Sequence, residues 1–177
     1  ALKVITVTSG GKSETVLDSK AVEKFKKLDN VTDVSPITRQ IAKFSLGEID
    51  SEQVVYSVKP EYLDMENIKI SGGRTLSKDS KNEALISKEI LTNLGLKQED
   101  VLDKEFIYTL TGSSSPQKDK IKVVGIFEEK GIYVPFETIK NSEGAYASVK
   151  VKINDKANVP EAKKAVDSLG FNTSIIK

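Results

Sequence analysis

Apolar and polar residues alternate over residues 2–8, which predicts a first β-strand rich in β-branched side chains. Apolar residues then recur at helical spacing over 17–28, and Asp18 or Ser19 is the predicted N-cap of that helix. Residues 31–46 have the pattern of extended chain. The first part of the chain therefore predicts a strand, a helix and a second strand.

The same order returns near the carboxyl end. Residues 147–153 alternate like a strand, and Asn158 precedes a first-turn proline, Pro160, as a helix cap would. The predicted apolar face of this helix consists of Ala162, Val166 and Leu169. Gly170 ends the helix, and 171–176 form a last strand. Since each terminal segment has an apolar helix face to bury, both are expected to pack on one sheet, as an α+β sandwich.

Between these segments the pattern is mostly that of strands. A strand at 53–58 is predicted to form a hairpin across a turn at 47–52. Further strands are predicted near 105–110, 121–127 and 131–136. The small, polar loop between the first two of these is a candidate partner-binding loop, with Gly112, Ser113, Ser114, Ser115 and Pro116 at its centre.

The largest number of local structure signals occurs in residues 68–96. Gly72 and Gly73 supply positive φ angles at low cost, so the chain is predicted to reverse there. A short apolar run at 84–86 predicts a buried strand, and Ser87 is a good N-cap for the helix that follows.

That helix is predicted to bury Ile90, Leu91 and Leu94. Gly95 occupies the position of a left-handed C′ glycine. Leu96 can then pack on Leu91, as a Schellman motif requires.

Four pieces of sequence resemble the extracytoplasmic domain of MacB/FtsX-type ABC transporter permeases: SGGR, EALISKEILTNLGL, KVVGIF and IYVPFETI. In that family a glycine–arginine turn, a capped helix and a VVGI strand recur in this order. The residues that carry the resemblance are Gly72, Gly73, Arg74, Ser87, Gly95 and Gly125. The similarity covers roughly the middle half of the chain.

The resemblance implies a discontinuous α/β "porter" subdomain, expected at 1–61 and 141–177, interrupted by a mostly β "sabre" subdomain at 62–140. The connections are shorter than in longer family members, which leaves the size of the insert open. This layout agrees with the α+β arrangement that the hydrophobic pattern predicts.

Composition excludes several classes of function. With 27 basic and 26 acidic side chains the net charge is only +1, which argues against nucleic acid as a partner. Cysteine and histidine are both absent, so disulfides, thiolate zinc sites, cysteine nucleophiles and histidine-based triads are excluded. No apolar run approaches the roughly 18–20 residues that a transmembrane helix needs.

Two short motifs at residues 9–13 fail on spacing. Gly10-Gly11-Lys12-Ser13 follows a strand like a P-loop, but Thr6 stands where that motif needs its first glycine. Ser9 and Lys12 spell S-x-x-K, but two glycines between them oppose the helix that such chemistry requires.

Charged segments have plainer explanations than binding or catalysis. Residues 79–83 gather oxygen ligands but contain Lys81, which opposes calcium, so a solvated loop is expected. Adjacent carboxylates in 128–130 fit a solvated turn better than acid–base catalysis. The basic flank at Lys24, Lys26 and Lys27 fits a solvated helix face better than a lipid-binding patch. Arg74 is expected to hold its turn by bonding to carbonyls or a carboxylate.

No catalytic constellation, cofactor site or metal site is predicted. The resemblance implies a non-catalytic extracytoplasmic domain of a permease at the cell membrane. ATP hydrolysis would then occur on a separate cytoplasmic subunit, and motion would arrive through flanking membrane helices. The implied partners are that ATPase, a second permease subunit in a homo- or heterodimer, and an accessory extracytoplasmic protein. The alternative is a secreted or surface-anchored module that binds a peptide or glycan through the 111–120 loop.

Overall fold

The computed structural model describes residues 3–10, 16–111, 118–139 and 145–175, and the α+β prediction is confirmed. In these ranges the strands are β1 Val4–Thr8, β2 Val31–Leu46, β3 Ile49–Val58, β4 Ile70–Gly73, β5 Glu83–Ser87, β6 Glu105–Leu110, β7 Lys118–Phe127, β8 Ile132–Pro135, β9 Ser148–Ile153 and β10 Asn172–Ile175. The helices are α1 Ser19–Lys26, α2 Pro60–Met65, α3 Lys88–Leu94, α4 Gln98–Val101 and α5 Val159–Ser168. None of the described helices is long and apolar enough to cross a membrane.

The chain divides into two compact units. The first unit consists of Ala1–Thr38, Glu61–Asn67 and Asn141–Lys177. The second unit consists of Arg39–Pro60 and Ile68–Lys140. This division places 39–60 with the middle of the chain, whereas the subdomain boundary expected from the resemblance lies at 61/62.

The first unit is a four-stranded antiparallel sheet in the order β10-β1-β9-β2, covered on one face by α1 and α5. As predicted, the helices of both terminal segments pack on the same sheet. Their core joins fully buried strand residues, among them Ile5 and Val149, to Phe25 and Val166 of the helices. Phe25 also meets the ring of Phe171 edge-on, with the two centroids 5.3 Å apart.

The predicted caps of the two helices have different outcomes. Asp18 caps α1 as expected, since its carboxylate accepts hydrogen bonds from the Lys20 and Ala21 amides at 3.1 Å. Asn158 occupies the N-cap position of α5 with a proline in the first turn, as predicted, but its side chain makes no capping hydrogen bond and donates to Asn154 Oδ1 instead.

The predicted apolar face of α5 is also partly wrong. Ala162 and Val166 are buried, but Leu169 is 39% exposed, because the helix ends at Ser168 before another turn can bring Leu169 inward. Val159, in the first turn, is buried instead.

Both ends of the described chain lie at one end of the first unit's sheet. β1 and β10 are antiparallel neighbours, with Ile5 opposite Ile175. At the other end of the same sheet Ile37 lies opposite Ser148. The described chain ends are therefore separated from this residue pair by the length of the strands.

The second unit is built on a closed ring of strands. β2 pairs with β6, β6 with β7, β7 with β5, β5 with β8, β8 with β3, and β3 with β2 again. β4 adds to β7 outside this ring. The interior is filled by buried apolar residues, which include Phe44, Val55, Ile86, Tyr108, Val123, Ile126 and Val134. Closure gives each of the six ring strands a partner on both sides over at least part of its length.

The ring explains why 39–60 join the second unit. Two of the six ring strands come from this segment, because the second half of β2 and all of β3 lie in it. The hairpin between them is tighter than predicted: β3 begins at Ile49 instead of residue 53, and Gly47, with φ of +69°, lies in the turn.

A buried ion pair lies on the face of the first unit's sheet opposite α1 and α5. The ammonium of Lys150, on β9, lies 2.6 Å from a carboxylate oxygen of Glu66 and donates to the Thr6 hydroxyl at 2.7 Å. The side chain of Lys150 is only 9% exposed and that of Glu66 20%. Sequence reasoning missed this pair, since the two residues are far apart in the chain and neither belongs to a motif.

We expect Lys150→Met to lower the free energy of unfolding by about 2–3 kcal/mol, because it leaves a largely buried carboxylate without its partner. The double variant Lys150→Met/Glu66→Leu should recover much of this loss. Urea unfolding of both variants measures the difference. Lys163→Met is the control: it breaks the more exposed Lys163–Asp167 pair, which spans one helical turn, and should cost only about 0.3–0.5 kcal/mol. Equal losses at the two sites would contradict the expectation.

Candidate functional site

The residues that carry the family resemblance all lie in the second unit, around β4, β5 and β7. Gly72 and Gly73 belong to β4, Gly125 to β7, and Ser87 ends β5. The prediction that the two glycines reverse the chain is wrong. They continue a strand that pairs with β7, in which Gly73 lies opposite Gly125 and a bulge separates Ile70 from Gly72.

Two of these glycines are required by close backbone contact. A Cβ on Gly125 would lie 2.1 Å from the Arg74 carbonyl oxygen, and a Cβ on Gly73 would lie 2.2 Å from the Val124 carbonyl oxygen. Gly73 also has φ of +70°, which L side chains rarely adopt. The pair therefore allows β4 and β7 to approach more closely than any residue with a side chain would permit.

Arg74 follows these glycines and closes the loop that comes after them. Its guanidinium makes a two-pronged contact with Glu83, in which Nη1 donates to Oε1 at 3.2 Å and Nη2 donates to Oε2. Its amide donates to the Val124 carbonyl at 2.9 Å. The hydrogen bond from Arg74 is the main reason that the pKa of Glu83 is lowered. Arg74 thus bonds to a carboxylate, in the way that sequence reasoning expected.

The loop between Arg74 and Glu83 is held by its own hydrogen bonds. Ser77 donates its amide to the Ser80 hydroxyl at 2.9 Å, and Ser80 returns its amide to the Ser77 carbonyl at 3.1 Å. Lys122 donates its amide to the Asn82 carbonyl at 2.8 Å. Within the described ranges no group of three acidic, histidine or cysteine side chains could hold a metal ion.

The helix after β5 has the ends that the sequence predicts. The Ser87 hydroxyl accepts a hydrogen bond from the Ile90 amide at 3.3 Å. Gly95 has φ of +69°, and the Leu96 amide donates to the Leu91 carbonyl at 2.9 Å, which completes a Schellman motif. Ile90 and Leu91 are buried in the ring core, and Leu94 packs against it.

The structure describes only some of the other candidate segments. The candidate partner loop (Gly112, Ser113, Ser114, Ser115 and Pro116) and most of the 9–13 segment lie outside the described residues. Residues 128–130 are exposed after β7, as a solvated turn would be. Lys24, Lys26 and Lys27 are exposed on and after α1, and Lys26 pairs with Glu23 at 3.5 Å.

The polar groups of the β4–β5–β7 region are engaged with one another. Arg74 bonds to Glu83, and Ser77 bonds to Ser80. Such an arrangement holds a sheet corner and a loop in place, and its contacts support a structural role. The sequence signal that could have revealed the close contact at Gly125 is that this glycine lies between apolar strand residues, with no turn nearby.

Comparisons with known proteins agree with this structure. Residues 2–169 match the family model described as the MacB-like periplasmic core domain. The periplasmic region of MacB from Actinobacillus actinomycetemcomitans has the same fold, with a TM-score of 0.74 at 18% identity over 98% of this chain and 88% of that chain. The extracellular domain of the noncanonic ABC-type transporter YknZ from Gram-positive bacteria matches with a TM-score of 0.71 at 19% identity, over 98% of this chain and 100% of that chain. No functionally curated protein sequence matches.

We expect Gly125→Ala to lower the free energy of unfolding by about 2–3 kcal/mol, because the new methyl group meets backbone that cannot easily move. Gly72→Ala is the matched control from the paired strand. Its Cβ would meet only the flexible end of Gln98, so its effect should stay within about 0.5 kcal/mol. Chemical unfolding of the two variants tests the contrast, and equal losses would show that close backbone contact is not what requires glycine at 125.

The lowered pKa of Glu83 predicts a pH dependence of stability. Its contribution should be complete above the ordinary glutamate pKa of about 4.3 and should disappear as the pH falls through the lower, folded-state value. We therefore expect Glu83→Gln to destabilise the protein at pH 7 and to have a smaller effect in acid. Melting temperatures across this range measure it. In an Arg74→Gln background the pH dependence of the Glu83→Gln effect should shrink, and an unchanged profile would assign it to another group.

Proposed function

The chain belongs to the family of MacB-like periplasmic core domains, and from that premise we propose that it couples ATP-driven motion of transmembrane helices to substrate export or partner signalling outside the membrane. Membership makes it an extracytoplasmic domain of a bacterial ABC transporter permease. The coupling role is supported by the way the first unit places its chain ends.

The observation that carries the proposal is the pairing of β1 with β10. Ile5 lies opposite Ile175, so both ends of the described chain leave the same end of one sheet. Two membrane helices attached there could act together on a single edge of the domain. A domain whose termini lay at opposite ends could not receive motion from one side in this way.

The build of the first unit suits it to transmit motion without deforming. β1 is hydrogen-bonded on one side to β10 and on the other to β9. α1 and α5 bury apolar faces on the same sheet, and Phe25 and Val166 are fully buried there. Because packed cores of this kind are not continuously deformable, we propose that the unit moves as a rigid lever.

The two units are proposed to correspond to the family's subdomains. In this assignment the porter-like subdomain comprises 1–61 and 141–177, and the sabre-like insert comprises 62–140. The compact second unit supports an insert of this kind. The 39–60 hairpin belongs to this compact unit, although the proposed boundaries place it in the porter-like subdomain.

The proposed partners follow from the permease context. A separate cytoplasmic ATPase subunit would bind and hydrolyse ATP, so this domain itself would carry no catalysis and no cofactor. A second permease subunit would complete a homo- or heterodimer, and an accessory extracytoplasmic protein would receive the motion. Contact with the membrane would come through flanking helices.

The proposal predicts that coupling depends on a stiff connection at the chain ends. In the full-length permease, about ten Gly/Ser residues inserted after Lys177 would add a flexible span of roughly 18 Å. We expect transport to be lost while ATP hydrolysis by the assembled complex persists. The same insertion between Gly47 and Glu48, in the exposed β2–β3 turn, is the control and should retain transport.

Transport that survives the insertion at Lys177 would contradict the lever. Loss of transport and ATP hydrolysis together, with the protein still folded and in the membrane, would also contradict it, because the insertion would then act on assembly.

A further inference from the structure

The second unit contains a surface groove that the proposed function does not use. Its volume is about 430 Å³, within the range of about 300–1,000 Å³ typical of small-molecule sites. Three segments line it: the end of β3, the loop between Arg74 and Glu83, and the residues that end and follow β8. The lining residues used below are Lys59, Lys78, Lys81, Phe136 and Glu137.

The groove lies where two neighbouring parallel strands end. β3 and β8 run parallel, with Val58 opposite Pro135, so the residues that follow them emerge side by side. These residues are Lys59 and Phe136, and both line the groove. The carboxyl ends of parallel strands are places where following loops bring functional side chains together.

Most of the charged residues that line the groove are positive. Lys59, Lys78 and Lys81 line the groove against a single carboxylate, Glu137. Within the described ranges none of these three lysines forms an ion pair. The groove is therefore lined by three lysines whose positive charge a bound anion would balance.

The loop that supplies two of these lysines is held in place before any ligand arrives. Ser77 and Ser80 bond to each other on either side of Lys78. Leu76 is buried at the start of the loop, and Asn82, at its end, has φ of +51° and is bonded through its carbonyl to β7. A loop fixed at both ends loses little conformational freedom on binding.

One wall of the groove is apolar. Phe136 is half-buried, with the ammonium of Lys59 lying 5.7 Å from the centre of its ring. Pro60 and Pro135 line the groove beside it. A flat or ring-shaped ligand could pack on this wall while its charged group reached the lysines.

We propose that this groove binds a small phosphate monoester with a ring-shaped apolar body. Lys78 and Lys81 would hold the phosphate, and the body would lie against Phe136. Three cations against one carboxylate favour a doubly charged phosphate over a singly charged group. The inference rests on the second unit alone and does not depend on the coupling role proposed above.

The test uses the 177-residue chain, isotope-labelled for NMR, and three probes: phenyl phosphate, inorganic phosphate and phenol. Phenyl phosphate should give saturable shifts confined to the amides of 77–82 and 136–138. Inorganic phosphate should bind the same amides more weakly, and phenol alone should not saturate. Shifts spread over lysines throughout the chain, or no saturation by phenyl phosphate, would overturn the site.

Variants separate the two parts of the proposal. Lys78→Gln/Lys81→Gln should weaken phenyl phosphate at least about tenfold, because two charge-assisted contacts are lost. Lys88→Gln/Lys104→Gln removes the same charge from exposed positions elsewhere in the second unit and should change the affinity less than about twofold.

The apolar wall is tested by Phe136→Leu. This variant should weaken phenyl phosphate about threefold or more and leave the affinity for inorganic phosphate unchanged. Equal weakening by the two lysine double variants would show non-specific attraction to a basic surface. An equal loss of both phosphates in Phe136→Leu would remove the ring-binding part of the proposal.

Discussion

The closure of the second unit's ring by β2 is the constraint on which the rest of this unit depends. β2 is a single strand of sixteen residues, Val31–Leu46, whose first half pairs with β9 and whose second half pairs with β6 and β3. Because its second half closes the ring, β6 and β3 each gain a second partner strand, and Phe44 can meet Tyr108 inside. Without this strand the middle of the chain would be an open sheet with its apolar face exposed.

Close backbone contact is the condition for adding β4 to this ring. β7 is paired with β6 and β4 on one side and with β5 on the other. It can accept β4 only because Gly73 and Gly125 bring no Cβ into the contact. Polar groups then hold the adjoining loop, through Arg74 and Glu83. The family motif is therefore explained by packing, and its residues need no role in binding or catalysis.

The groove beside that loop is a candidate for a role other than the structural one of the family motif. The hydrogen bonds between Ser77 and Ser80 hold the loop in place. Lys78 and Lys81, which lie between and after these serines, line the groove and could bind an anion. The first unit, by contrast, is the one that we propose transmits force, through its adjacent chain ends. The two proposals, mechanical coupling and ligand recognition, therefore concern different units and can be tested independently.

The sequence alone determined several local elements and indicated the family. The helix starting after Ser87, its Schellman end at Gly95, and the cap at Asp18 were predictable because each depends on residues within one or two turns. Ring closure, the Gly73–Gly125 contact and the Lys150–Glu66 pair were decided only by the tertiary structure. Each of these three features joins residues that are distant in the chain, so no local sequence pattern predicts it. The exposure of Leu169 also required the structure, because helical periodicity does not show where a helix stops.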